Sequence, residues 1–229
     1  MAVDATDQRT HRHKQSATDQ RGKKTRPHIL EIARQTLNEV GVNATNCRLV
    51  SKCAGLTPAN IYYYFPNMDA ILKELNQSLI RESKESVEAI SKNPMDQAGR
   101  RIAALEWLNI VWTWRYAFLD LHILYRRDPE LREKITGLQD LSIAHQEKSL
   151  VNHMTSIGME LTEADKVLCH DIAVNSVIVA NNWLRYVTER SEEGSLNRED
   201  FLSTVDQFLT TGRTFYNLDF LKRVVSTES

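Results

Sequence analysis

From Ile29 onward the chain reads as a succession of one-sided apolar faces. Ile29, Ile32, Ala33, Leu37 and Val40 recur at spacings of three and four, which puts them on one side of a helix, and Gly41 follows as a left-handed stop. Leu49, Val50, Cys53 and Ala54 make a second, shorter face that is cut off at Gly55, and Asn43, Thr45 and Asn46 ahead of it offer N-cap oxygens. Leu56-Thr57-Pro58 then supplies an apolar residue, a capping hydroxyl and a proline at the first helical position, and the run from Ala59 to Phe65 continues until Pro66 ends it. Two short helices joined by a tight turn containing a glycine have the spacing of a helix-turn-helix.

Downstream, proline and capping residues mark the boundaries. Asn67 with Asp69 opens a helix running to about Lys92, Asn93-Pro94-Met95-Asp96 opens the next, and Asp128-Pro129-Glu130 opens another. Thr162-Glu163-Ala164-Asp165 is a capping-box pattern after Gly158, and Asn197 to Asp200 starts the last helix. The expected count is eight or nine helices, with no period-two alternation long enough for a strand. Eight glycines and five prolines in 229 residues leave few turns, and 41% hydrophobic residues are enough for a sizeable core. The fold class is therefore all-α: an N-terminal three-helix helix-turn-helix followed by a larger helical part. Residues 1–24 are polar, with Arg9, Arg12, Lys14, Arg21, Lys23 and Lys24, and read as a mobile tail. The divisions expected are 1–24 (tail), 25–72 (helix-turn-helix domain), 73–218 (larger helical domain) and 219–229 (C-terminal tail).

Charge changes the picture. The net charge is −1, yet residues 1–60 hold 10 Lys/Arg against 5 Asp/Glu while residues 61–229 hold 19 against 25. A basic N-terminal part that meets a polyanion, on an acidic body, fits that asymmetry. No run approaches the roughly 20 consecutive apolar residues that span a bilayer. No apolar stretch follows the N-terminal charges, so no secretory signal is expected and the compartment expected is the cytosol. Cys47, Cys53 and Cys169 lack CxxC spacing and read as reduced, mostly buried thiols; no metal motif and no cofactor is expected.

Gly41, Thr45, Ala54-Gly55, Thr57, Tyr62, Phe65 and Ile71-Leu72 follow one pattern: an apolar helix ending in Gly, a Thr-led second helix, Ala-Gly, a Ser/Thr cap, Tyr-x-x-Phe and a Leu-rich fourth helix. On these residues the stretch 29–72 resembles the DNA-binding domain of the TetR family of bacterial regulators. The sequence departs from that pattern at Met68, where the family usually has a phosphate-holding Lys, and at Tyr64, where a His is common.

The chemistry of the residues agrees with duplex DNA as partner. The start of the helix over 57–64 is slim and polar (Thr57, Pro58, Ala59, Asn60), as reading base edges in the major groove requires, and Asn60 can pair bidentately with adenine. Tyr63 and Tyr64 can donate to phosphates, and Tyr62 joins them as a DNA-binding candidate, whereas Ile61 and Phe65, four apart, point inward. Thr45 with Arg48 makes a candidate phosphate clamp, and Arg21, Lys23, Lys24 and Arg26 can reach a flanking groove or backbone.

In the body, aromatic residues concentrate between 102 and 125. Trp107, Asn109, Trp112, Arg115, Phe118, His122 and Tyr125, with Asn175 and Trp183, are the candidate pocket residues for a small-molecule effector. The resemblance implies that the last two helices, about 164–189 and 198–217, pair across a two-fold axis into a homodimer, which would read a palindrome with half-sites about 34 to 36 Å apart or a multiple of that. The function expected is a ligand-responsive regulator, a repressor released from DNA by its effector. The alternative is a helical DNA-binding or architectural protein without an effector. Enzymatic chemistry has no motif here: no Gly-rich phosphate loop, no G-x-S-x-G and no paired carboxylates.

Overall fold

The structure, a computed structural model, describes residues 5–90, 97–192, 196–211, 223 and 226, with side chains for 25–89, 98–192, 196–210, 223 and 226. All regular structure among the described residues is helical: α1(Ala5–Ala44), α2(Cys47–Cys53), α3(Pro58–Tyr64), α4(Met68–Ile90), α5(Gln97–Thr113), α6(Arg115–Arg127), α7(Pro129–Ser156), α8(Glu163–Thr188), α9(Arg198–Ser203) and α10(Val205–Thr211). The chain forms two compact units, Met1–Asn76 and Gln77–Ser229, and the division falls within α4. No described helix is long and apolar enough to cross a membrane.

In the first unit the backbone is helical from Ala5, so the stretch expected as a mobile tail continues the helix, and Pro27 lies inside α1 instead of at its first turn. Ala, Gln, Arg and Lys, frequent in this stretch, have high intrinsic helix propensity. Gly41 has φ 79 and ψ 171, a region essentially reserved for glycine; the positive φ is as expected, but the residue is extended and not left-handed helical. Ile29, Ala33 and Leu37 of α1 are buried with Val50, Ile61 and Phe65 from the next two helices and Ile71, Leu72 and Leu75 from α4. Each of the larger of these side chains contributes about 1.5–3 kcal/mol when fully buried.

The turn between α2 and α3 is fixed by backbone bonds. Leu56 N donates to Ser51 O (2.9 Å) and Gly55 N to Lys52 O (3.2 Å), with Gly55 at φ 64. This is a Schellman motif, which needs a left-handed residue just past the helix end.

The second unit is organised by the antiparallel pair α7 and α8. Its corner is a second Schellman motif, with Met159 N bonded to Met154 O and Gly158 N to Thr155 O, both at 3.1 Å, and Gly158 at φ 84. Met154 and Met159 pack there with Leu150, Cys169 and Ile172. The start of α8 carries the expected capping box: Thr162 N donates to Asp165 Oδ2 (2.9 Å) and Asp165 N to Thr162 Oγ1 (3.2 Å). Asn67 and Asn197 cap their helices as expected, but Asp128 makes no side-chain cap bond to α7.

Two helices expected to be continuous are broken. The stretch to Arg127 is interrupted at Trp114, whose indole donates to Glu82 Oε2 of α4 (2.9 Å). The last helix is interrupted at Thr204, whose hydroxyl donates to Phe201 O (2.7 Å) and accepts from the Trp183 indole (2.9 Å). In both places the residue at the break is hydrogen-bonded to another helix, and neither is a proline or glycine.

Candidate functional site

Helix α3 is divided by burial. Ile61 and Phe65 are fully buried, while Thr57, Pro58, Ala59 and Asn60 are all exposed. The N-cap is Thr57: its Oγ1 accepts from Asn60 N (3.3 Å) and donates to Asn60 Oδ1 (2.7 Å). The Asn60 carboxamide is thereby held at the exposed start of the helix, with its NH₂ still able to donate. Tyr62 is 51% and Tyr63 82% exposed, and Tyr64 is half-buried and packed edge-on against Tyr63 (4.9 Å). An exposed polar start and aromatic hydroxyls farther along, on a buried Ile61–Phe65 anchor, form a surface that can enter a groove.

Two expected phosphate contacts are placed differently. Thr45 is buried and its hydroxyl donates to Gly41 O (2.8 Å), so it is no clamp; the neighbouring Asn46 caps α2, accepting from Leu49 N (3.0 Å). Arg26 is bonded to Glu74 and its guanidinium lies 5.0 Å from the Phe65 ring centroid, so its charge is largely matched within the unit. Arg48 is exposed on α2, and Lys52, four residues on, is exposed with it, a cation that the sequence reading missed and the i, i+4 spacing could have found. The side chains of Arg21, Lys23 and Lys24 lie outside the described residues. His28 Nε2 donates to Ala54 O (3.3 Å), tying α1 to the turn. The cysteines are free thiols and mostly buried, as expected: burial of Cys47 and Cys169 pushes both thiols up, whereas Cys53 is exposed.

The second unit contains a cavity of about 280 Å³. Trp107 of α5 and Phe118 of α6 line it, edge-to-face at 5.9 Å, with the Trp107 indole donating to Ala180 O (3.3 Å). Gln139, Ser142, His145, Gln146 and Ser149 of α7 line it as a polar stripe, and α8 adds Ser176 and Asn181. None of the α7 residues was expected from the sequence, although 139, 142, 146 and 149 fall on one face at helical spacing.

The remaining candidates do not line the cavity. Trp112 stacks on Phe201 (5.6 Å) beneath the Arg115 guanidinium, and Trp183 is buried between Tyr186 and Phe208, its N–H used by Thr204. Asn109 bonds Leu105 O and accepts from Arg198 (2.5 Å). His122 is exposed; Tyr125 and Asn175 are half-buried away from the cavity. These residues build the core around Leu108, Val111 and Leu184 or sit at the surface.

A helix-turn-helix with an exposed polar reading edge, joined to a helical unit with its own cavity, defines a sensor-type regulator. Residues 29–75 match the family described as bacterial regulatory proteins, tetR family, and residues 72–219 match the one described as bacterial transcriptional repressor. The chain belongs to the TetR family and is a transcriptional regulator with a DNA-binding helix-turn-helix and a ligand-binding domain. It is 27% identical over 208 residues to the HTH-type transcriptional regulator BetI of Vibrio campbellii, covering 84% of this chain and 94% of that one. Its fold is similar to that of a TetR-family regulator from Marinobacter aquaeolei VT8 (TM-score 0.70, 18% identity, 88% of this chain and 96% of that chain). It is similar also to that of FadR from Bacillus subtilis in complex with stearoyl-CoA (TM-score 0.53, 16% identity, 83% and 98%).

Proposed function

We propose that this chain is a cytoplasmic repressor that binds a palindromic operator as a homodimer and is released by a small molecule bound in the cavity of its second unit. The observation that carries the reading is the exposed Thr57–Asn60 edge of α3 above the buried Ile61 and Phe65. In this reading Asn60 pairs with adenine, Thr57, Pro58 and Ala59 allow close approach to base edges, and Tyr62, Tyr63 and Tyr64 with Arg48 and Lys52 meet the backbone. Arg21, Lys23 and Lys24 add to the basic arm of the same unit.

Pairing through α8 is supported by a face of that helix on which Val167, Asp171, Ile178 and Asn182 are all exposed, Val167 at 60% and Ile178 at 55%. Val177 and Leu184 of the same helix belong to the chain's own core, as do Phe201 and Val205. A ligand favouring a dimer whose two reading helices are wrongly spaced weakens operator binding, and DNA weakens ligand binding by the same factor.

Selection of bound duplexes from a random pool by the full chain, followed by titration against salt, tests the reading. A palindrome is expected, and Asn60→Ala then relaxes one symmetric position by about 1–3 kcal/mol. Binding that is salt-sensitive but blind to sequence would sink the reading in favour of an architectural protein.

A further inference from the structure

The cavity is uneven in its chemistry. Its aromatic wall, Trp107, Phe118 and Phe208, comes from α5, α6 and α10, and its polar stripe comes from α7. Within that stripe Gln146 Nε2 donates to Ser142 Oγ (3.1 Å), which leaves the Ser142 O–H as a donor and the Gln146 side-chain oxygen as an acceptor. Across on α8, Asn181 Nδ2 donates to Val177 O (2.9 Å), leaving its Oδ1 as a second acceptor. His145 Nδ1 is buried with no hydrogen-bond partner among the described residues, so no bond at that nitrogen holds the ring in one orientation. Each carboxamide keeps a second N–H beside its free oxygen, so between α7 and α8 neutral donors and acceptors stand side by side, an arrangement that takes up a hydroxyl, which both donates and accepts.

Charge is excluded by the same lining. No Asp or Glu occurs among the described lining residues, so a buried ammonium would have no counter-ion. The one Arg among the described lining residues, Arg100, is exposed, where solvent and salt screen it, so an anion seated deeper would meet neutral donors but no permanently charged partner. Size sets the last limit: about 280 Å³ lies just below the roughly 300–1,000 Å³ typical of drug-sized ligands.

We infer that the cavity takes a compact uncharged aromatic molecule bearing a hydroxyl group, its ring against Trp107 and Phe118 and its hydroxyl between Ser142, Gln146 and Asn181. This rests on the effector-binding reading above, and names the chemistry of that effector. A flat ring suits an edge-to-face corner, because aromatic pairs prefer offset or T-shaped contact.

Calorimetric titration of the full chain with three probes that share a 4-ethylphenyl group and differ in the polar group tests it: 4-ethylphenol, 4-ethylbenzoate and 4-ethylbenzylammonium. The phenol is expected to bind at least tenfold more tightly than either ion, and Ser142→Ala with Gln146→Leu is expected to weaken it about tenfold. Both positions are only half-buried, so the variant should keep its melting temperature; Asn181→Leu, on a different helix, gives an independent loss. Equal or tighter binding of the ammonium or the benzoate overturns the inference, as does absence of binding by all three. Adding 4-ethylphenol to the complex with the selected operator separates the two readings. Binding with release supports both, whereas binding without release overturns the repressor mechanism and leaves the ligand class standing.

Discussion

The hydroxyl of Thr57 and the carboxamide of Asn60 form one hydrogen-bonded unit, Oγ1 to Oδ1 at 2.7 Å, so the residue that starts α3 also orients the residue proposed to read a base. Thr57→Ala should therefore cost about 1 kcal/mol of stability as a lost N-cap. It should also weaken operator binding beyond that, by freeing Asn60. Thr57→Ser restores both. Additivity of Thr57→Ala and Asn60→Ala in operator affinity, measured by a double-mutant cycle, would show that the two act separately.

Gly55 isolates a backbone effect. With φ 64 and nothing within 4 Å of an added Cβ, Gly55→Ala meets no steric obstacle. The expected loss is about 1–2 kcal/mol, the cost of an L-residue in the left-handed region. Gly55→Asn should lose less. Urea denaturation of the two variants checks the order.

Glu82 holds the break between α5 and α6. Glu82→Ala removes the carboxylate that accepts from the Trp114 indole and should cost about 1–3 kcal/mol, while Glu82→Gln, which keeps an oxygen in place, should recover most of that. A larger loss for the Gln than for the Ala variant would place the stabilisation elsewhere.

Asp165 gives the second unit a stability term that depends on acid. The Arg223 guanidinium, bonded to Asp165 Oδ2 at 2.8 Å, holds the carboxyl down to about 2 from 3.8; burial opposes this, and the Thr162 hydroxyl and amide add to it. A depressed folded-state pKa means that the contribution is present at neutral pH and is lost as pH falls from about 4 toward about 2. Asp165→Asn should be less stable than the parent at pH 7, with a gap that closes across that window. A gap independent of pH between 4 and 2 would remove Asp165 from the titration.

What was legible in the sequence was local. The Thr57 and Asn67 caps, the Gly55 turn and the Thr162 capping box rest on partners within a few residues, and the period of three and four located the buried faces. The breaks at Trp114 and Thr204 were not legible, because their anchors, Glu82 and Trp183, lie 32 and 21 residues away. Thr45 was read as a clamp because it sits beside the true cap, Asn46; its hydroxyl instead donates to Gly41 O four residues back, a local alternative that a Thr at a helix end always has and that the sequence reading did not weigh. In the body, aromatic density drew attention to 107–125, yet Trp112 and Trp183 are claimed by Phe201 and Thr204 from the last helices, and the polar stripe of α7 carries most of the cavity's hydrogen-bonding groups.

Only one of the chain's four tryptophans, Trp107, lines the cavity; Trp112, Trp114 and Trp183 are packed elsewhere. The protein thus carries an intrinsic optical reporter at the place where a ligand would sit. In the intact chain the change in emission on filling the cavity would come chiefly from that one indole, without a label and without DNA.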